Sequence, residues 1–344
     1  MDIYTILYAG FYAIYDYVVA HTVFCLVPAF FIAGAMSSLL PKDGLLPYLG
    51  KKTPKYISYP ISIISGLLLA VCSCTVLPLF AGIRKRGAGL GPALAFLYTA
   101  PATNIIAILY TASLIGWDIA IARIILSILF AIIVGIIISG IFPEQPSEEV
   151  SLGKKPKEKT SKKRLVYLFA ALLAILLVGT RISEELPKYG LTALLVLLTY
   201  FISKKYFSKE ETSSWMDETW GFTKTIFPLL LGGVFLSGII RVLLPQDLIS
   251  GYLGGNGFFA MVIPVTFGIF VYFPTLVEVP MAKTFLQLGM SRAALLAYLL
   301  ADPVISLPSI LVMRKIIGDK RTLLYIALIF ILTVSAGMLY GRIS

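Results

Sequence analysis

Cys72-Ser73-Cys74-Thr75-Val76-Leu77-Pro78 lies inside an apolar run that reaches from about residue 57 to 82. A run of that length is long enough to cross a bilayer as a helix. Pro78 removes a backbone donor within it. Broken helix at membrane depth leaves backbone polar groups free, and they are tolerated only against protein or a water-filled cavity. Cys72 lies 12 residues from both Pro60 and Arg84, so the spacing puts it near mid-depth at helical rise. This stretch therefore predicts a membrane protein with an interrupted helix where a solute can bind.

The rest of the chain agrees. It has 344 residues, 58% of them hydrophobic and 14% charged, with a mean hydropathy of +0.90. A soluble domain cannot bury that much apolar surface. The net charge of +11 sits in short clusters between apolar runs, as expected of orientation signals and not of a nucleic-acid-binding face. Ten runs stand out, near 17–40, 57–82, 89–114, 120–142, 165–181, 189–203, 223–243, 258–282, 293–313 and 322–341. The expected fold is an all-α polytopic membrane protein of about ten transmembrane helices, within a range of eight to ten. Tyr4, Tyr8, Tyr12 and Tyr15 precede the first run and suit an interfacial belt.

Lys154 to Arg164 holds seven basic residues and one acid, Glu158, interrupted by proline and serine. It reads as a disordered cytoplasmic linker over 143–164. With ten crossings, both termini are then expected in the cytoplasm of a cell whose cytoplasmic membrane holds the chain. Inner loops carry sixteen basic residues and outer loops eleven, with Arg123 and Lys224 at span edges. On this path Lys85 and Arg292 face inward, and Lys315 faces outward.

The chain also repeats itself. Leu39 to Gly50 matches Leu243 to Gly254 at seven of twelve positions, at an offset of 204 that also relates Pro60 to Pro264. At an offset of 202, Pro78 matches Pro280, Gly87 matches Gly289, Ala95 matches Ala297 and Pro101 matches Pro303. The expected organisation is a first repeat over 12–142, the linker, two connecting helices over 165–205 and a second repeat over 216–342. An even number of crossings between the copies makes them parallel, and a re-entrant segment makes them inverted. Both arrangements occur in transporters.

Helix breaks are expected at Pro78, Pro101, Pro274, Pro280 and Pro303, and candidate solute contacts lie beside them. Cys72 and Cys74 are soft ligands suited to copper(I), zinc or trivalent arsenic, provided the helix unwinds to bring both to one ion. Small buried hydrophobes are the plain alternative. Thr103 and Asn104 follow Pro101. Asp302 lies 10 residues from Arg292 and 12 from Arg314, at a depth where a carboxylate marks a proton or cation relay. It also suits the N-cap of a half-helix begun by Pro303. Glu278 is a second acid, with an interfacial salt bridge to Lys283 as its plain reading. His21 suits an interfacial role and Cys25 packing. The run Gly87 to Pro92 lacks the Gly-Lys-Ser/Thr ending of a phosphate loop and reads as a tight turn. No cofactor is expected.

The spacing Cys72-Ser73-Cys74-x-x-x-Pro78-x-x-x-Gly82, followed by Arg84-Lys85-Arg86-Gly87-Ala88 and Pro101, resembles the ArsP-type predicted permease family. The resemblance extends over nearly the whole chain, including Phe227 to Met313. It implies an inner-membrane efflux permease whose relatives export trivalent organoarsenicals, with neighbouring branches linked to copper or zinc. It maps the family's cysteine pair onto Cys72 and Cys74 and is silent on Asp302 and Glu278. The expected activity is export of a soft metalloid or metal species in exchange for protons, by alternating access between the repeats and without an enzymatic step. A transporter of another small organic solute, with structural cysteines, and a membrane thiol oxidoreductase are the alternatives.

Overall fold

The computed structural model describes residues 3–19, 26–39, 48–50, 53–69, 73–143, 162–181, 185–243, 255, 257–270, 273 and 275–343. His21, Cys25, Cys72, Pro274, most of the linker and most of the Leu39–Gly50 and Leu243–Gly254 match lie outside them. The described residues form fifteen helices and no strand. These are α1 (Ile3–Tyr17), α2 (Val27–Ser38), α3 (Lys55–Leu69), α4 (Ser73–Lys85), α5 (Leu90–Ala102), α6 (Ile105–Leu114), α7 (Trp117–Ile141) and α8 (Lys162–Arg181). They continue with α9 (Glu185–Tyr206), α10 (Lys209–Leu243), α11 (Phe258–Phe270), α12 (Thr275–Gln287), α13 (Arg292–Ala301), α14 (Leu307–Ile317) and α15 (Asp319–Ile343). Helix is the form an apolar chain takes in lipid, because it pairs its own backbone groups.

Among the described residues, α7, the Lys209–Leu236 part of α10, and α15 are each long and apolar enough to cross a membrane alone. The pair α5–α6 passes the same test as one span bent by 43°. The bend follows Pro101, at Thr103 and Asn104. Pro78 and Pro280 behave differently from expectation. Each is the sixth residue of a helix, α4 or α12, with helix on both sides. A proline so near a helix start costs one backbone hydrogen bond without ending the helix.

Five helices recur. From α4 to α7, each start is followed 202 residues later by the start of α12 to α15, and α3 is followed by α11 after 203. Turns recur too. Gly87 (φ 94°) and Gly289 (φ 95°) both end a helix in the left-handed region. In each, the glycine N–H and the next N–H bond back onto the last turn, from Gly87 to Arg84 and Ala88 to Ile83, and from Gly289 to Leu286 and Met290 to Phe285. Helix contacts recur in the same way. α5 packs on α3, α4 and α7, as α13 packs on α11, α12 and α15, while α4 meets α14 and α12 meets α6.

The ends of these helices gather into two sets. At one end, Gly89 N–H bonds Leu49 O at 2.7 Å, Lys85 Nζ meets Glu218 at 2.6 Å, and Arg321 stacks over Phe142 at 5.7 Å. A cleft of about 510 Å³ there is lined by Arg84, Lys85, Asp217, Glu218, Phe222 and Lys315, among others. We call this the basic end. At the far end, Asp118 accepts from both Arg292 and Tyr340, and Ser291 Oγ donates to Gly255 O. Both outer ends of the pair α3–α4 lie at the basic end, and both outer ends of α11–α12 at the far end. Between them, Gly66 meets Thr99 and Ala100, and Gly268 meets Tyr298 and Asp302. Each pair is a hairpin that enters the bundle and returns.

This differs from a path in which every apolar run crosses. Such a path puts Lys85 and Lys315 on opposite faces, as it does Asp118 and Arg292, yet the structure brings each pair together. It also runs α7 and α15 parallel. The Arg321–Phe142 and Tyr340–Asp118 contacts make them antiparallel.

Candidate functional site

Arg123 is the seventh residue of α7, and its side chain is fully buried. From the apolar run alone it is expected at a span edge. The start of α7 at Trp117 moves it two turns inside. Its Nε donates to Ala102 O at 3.1 Å, at the C-terminal end of α5, where helix carbonyls carry partial negative charge. Its Nη1 lies 3.4 Å from Thr111 Oγ1. Its Nη2 donates to Glu278 Oε2 at 3.2 Å and lies 3.1 Å from Oε1, and neither side chain has any exposure.

Glu278 sits in the first turn of α12, where the helix dipole favours an anion. Its partner is Arg123, 155 residues away, and not Lys283, which is exposed. The interfacial salt bridge expected from local spacing is therefore replaced by a buried one. It ties a helix of the first five-helix set to a helix of the second.

Asp302 is 2% exposed and follows the last residue of α13. Its own N–H bonds Tyr298 O at 2.9 Å and its φ and ψ are helical, so it closes α13 and does not cap the next helix. Ser306 is the N-cap of α14, with Pro308 in the first turn. The Asp-Pro pair ends a helix here because Pro303 cannot supply the next N–H. The Tyr298 hydroxyl faces the Asp302 carboxylate across one turn and acts on it as a donor, and among the described residues neither Asp302 oxygen has a hydrogen bond of regular geometry. The charges of Glu278 and Arg123 both act on Asp302. Gly268 of α11 leaves the space it fills, since a Cβ there would lie 3.3 Å from Asp302 Oδ1.

Thr103 and Asn104 are buried at the α5–α6 bend. Thr103 Oγ1 donates to Thr99 O at 2.7 Å, and Asn104 O accepts from Ile108 N–H at 2.9 Å. Nearby, Tyr98 donates across the bundle to Leu300 O at 3.1 Å, the residue 202 positions later. Pro101 lies inside the last turn of α5, and Pro303 follows the end of α13. Cys74 is the second residue of α4, but its side chain, like all of Cys72, lies outside the described residues. Among the described residues, no three His, Cys, Asp or Glu side chains cluster as a metal site.

The arrangement is a buried, nearly closed polar centre. A guanidinium and a carboxylate neutralise each other, and a second carboxylate, Asp302, stands within the field of both charges. Such groups inside an apolar bundle mark ion or substrate pathways.

Comparison with known proteins points the same way. Residues 7–342 match the family model ArsP_1, described as a predicted permease. UPF0718 protein MJ0584 of Methanocaldococcus jannaschii is 37% identical over 346 residues, covering 96% of this chain and 94% of that protein. UPF0718 protein YraQ of Escherichia coli is 22% identical over 300 residues, covering 87% and 71%. No solved structure matches the chain.

Proposed function

Because the chain belongs to the ArsP_1 family of predicted permeases, we propose that it carries a small solute across the membrane by alternating access between two inverted halves. The observation that carries the mechanism is the Arg123–Glu278 pair. It is wholly buried and joins the two halves at the level where the crossing helices bend. A conformational change that opens one face must slide these halves against each other there.

The halves are the repeats over 12–142 and 216–342, joined by the linker 143–164 and the helix pair over 165–205. In this reading the chain crosses the membrane eight times, within the expected range, through α1–α2, α5–α6, α7, α8, α9, α10, α13–α14 and α15. The hairpins α3–α4 and α11–α12 enter from opposite faces. Charge supports it. Of the 22 lysines and arginines among the described residues, Arg181, Lys188, Arg241, Lys283, Arg292 and Arg342 sit on helix segments at the far end. That bias is much steeper than sixteen against eleven, and it makes the basic end cytoplasmic. The C-terminus then lies on the opposite face from the linker, in place of the expected cytoplasmic position. The cleft by Lys85 and Lys315 is the cytoplasmic mouth, and the Asp118–Arg292–Tyr340 cluster closes the other side.

The cargo we propose is a soft metalloid or metal species, of the kind of a trivalent organoarsenical, moving outward. Cys72 and Cys74 at the first hairpin would bind it, with Thr103 and Asn104 alongside. Glu278 and Asp302 would carry the coupling ion, which the sequence reading takes to be a proton. Cells expressing the protein are expected to accumulate less of a trivalent methylarsenical than control cells, and Cys72→Ser/Cys74→Ser is expected to abolish the difference. Equal accumulation with and without the protein removes this cargo. Full activity of the double variant makes the cysteines structural. Lys283→Ala is expected to leave activity within twofold of wild type, whereas Glu278→Gln reduces it at least about tenfold, the size of one lost charge-assisted bond.

A further inference from the structure

We infer that Asp302, with the C-terminal end of α13 and the adjoining flank of α11, forms a binding site for one monovalent metal cation, Na+ under cellular conditions. Its role as a coupling ion rests on the permease reading, but its binding does not.

Asp302 Oδ1, Asp302 Oδ2 and the Tyr298 hydroxyl are three buried oxygens in one place; among the described residues the hydroxyl is the one donor that acts on the carboxylate, at poor hydrogen-bond geometry, and no cationic side chain pairs with it directly. A carboxylate taken out of water without a partner is strongly disfavoured. The one cationic side chain acting on it is Arg123, whose three nitrogens already contact Ala102 O, Thr111 Oγ1 and Glu278. Among the described residues no further cationic side chain acts on the carboxylate, which leaves a place for a cation from outside the chain.

The backbone is arranged for one as well. Pro303 has no N–H, so Leu299 O, one turn behind it, has no helical donor. Leu300 O has turned to the Tyr98 hydroxyl, and Ala301 O accepts from both Val304 and Ile305. The last turn of α11, with Gly268, abuts the same carboxylate. The C-terminus of α13 thus presents its negative end at this point, with the flank of α11 packed beside it. Half-helix ends with free carbonyls and a carboxylate are how interrupted membrane helices hold Na+. A proton needs a single oxygen and no such arrangement. The charge count selects the valence, because Arg123 and Glu278 cancel and Asp302 leaves one negative charge. The equivalent place in the first half pairs Gly66 with Thr99 and Ala100, and it has no acid. One cation per chain is expected.

The test is thermal unfolding of the purified full-length protein in detergent, at constant ionic strength, with NaCl replaced stepwise by choline chloride, and with LiCl and KCl as further arms. A saturable rise in Tm with Na+ over choline is expected. Asp302→Asn keeps the shape and is expected to abolish that rise. Gly268→Ala keeps the charge, adds an atom 3.3 Å from Oδ1, and is expected to weaken Na+ at least severalfold. A Tm that follows pH but is the same in Na+ and choline overturns the proposal in favour of a proton. An equal Na+ response in wild type and Asp302→Asn overturns it by placing the ion elsewhere. Because the readout is binding, its failure leaves the permease reading intact, and a Na+-binding protein that moves no solute would contradict only the permease reading.

Discussion

Arg123→Met is expected to destabilise the protein by about 3–5 kcal/mol, the usual cost of leaving one member of a buried ion pair alone. The reason lies in the surroundings. Glu278 has no exposure and no other described hydrogen-bond partner, so removal of the guanidinium strands a carboxylate in an apolar bundle. The double variant Arg123→Met/Glu278→Met removes both charges. It is expected to recover most of the loss, since an apolar pair of similar volume often replaces a buried ion pair without penalty. Transport is expected to stay absent in both variants. Thermal unfolding in detergent reads the stability, and uptake in cells reads the activity. A single variant as stable as wild type would mean that the pair is solvated or mobile.

The second large effect is expected at Gly233 of α10. A Cβ there would lie 2.4 Å from Pro308 Cα and 2.8 Å from Pro308 N, so α10 and α14 cannot keep their present distance. These are backbone atoms and cannot rotate aside. Gly233→Ala is expected to cost about 1–3 kcal/mol, as overpacking does. Gly232→Ala is the internal control, with nothing within 4 Å of its Cβ and the same change in helix propensity. Equal Tm values for the two variants would show that α10 does not press against the start of α14.

Much of this molecule is legible in its sequence, for identifiable reasons. Apolar runs with few charges permit little besides helix, and the match of Pro101 to Pro303 at 202 residues marks the positions where crossing helices bend or end. Asp302 and Glu278 stand out because acids are rare at such depth. Other features need three dimensions. A hairpin of two half-depth helices has as many apolar residues as one crossing helix, so hydropathy cannot separate α3–α4 from a span. Lys283 is five residues from Glu278 and looks like its partner, while the true partner is 155 residues away on α7. Arg123 is overlooked because the apolar run seems to begin near residue 120, whereas the helix begins at Trp117. Asp302-Pro303 reads as the start of a helix, since Asp is a good N-cap and proline suits a first turn. Which side of the pair is helical depends on Tyr298 O, which takes the Asp302 N–H and closes α13.

Inverted halves are the central claim, and labelling of single cysteines in sealed cells tests it most directly. Lys85→Cys and Lys315→Cys are placed in a cysteine-free background and exposed to a membrane-impermeant maleimide, with Ser291→Cys as the marker of the far end. Lys85→Cys and Lys315→Cys are both expected to be protected until the cells are opened, while Ser291→Cys labels in intact cells. Labelling of Lys315→Cys from outside, with Ser291→Cys protected, would restore ten crossings and contradict the inverted arrangement.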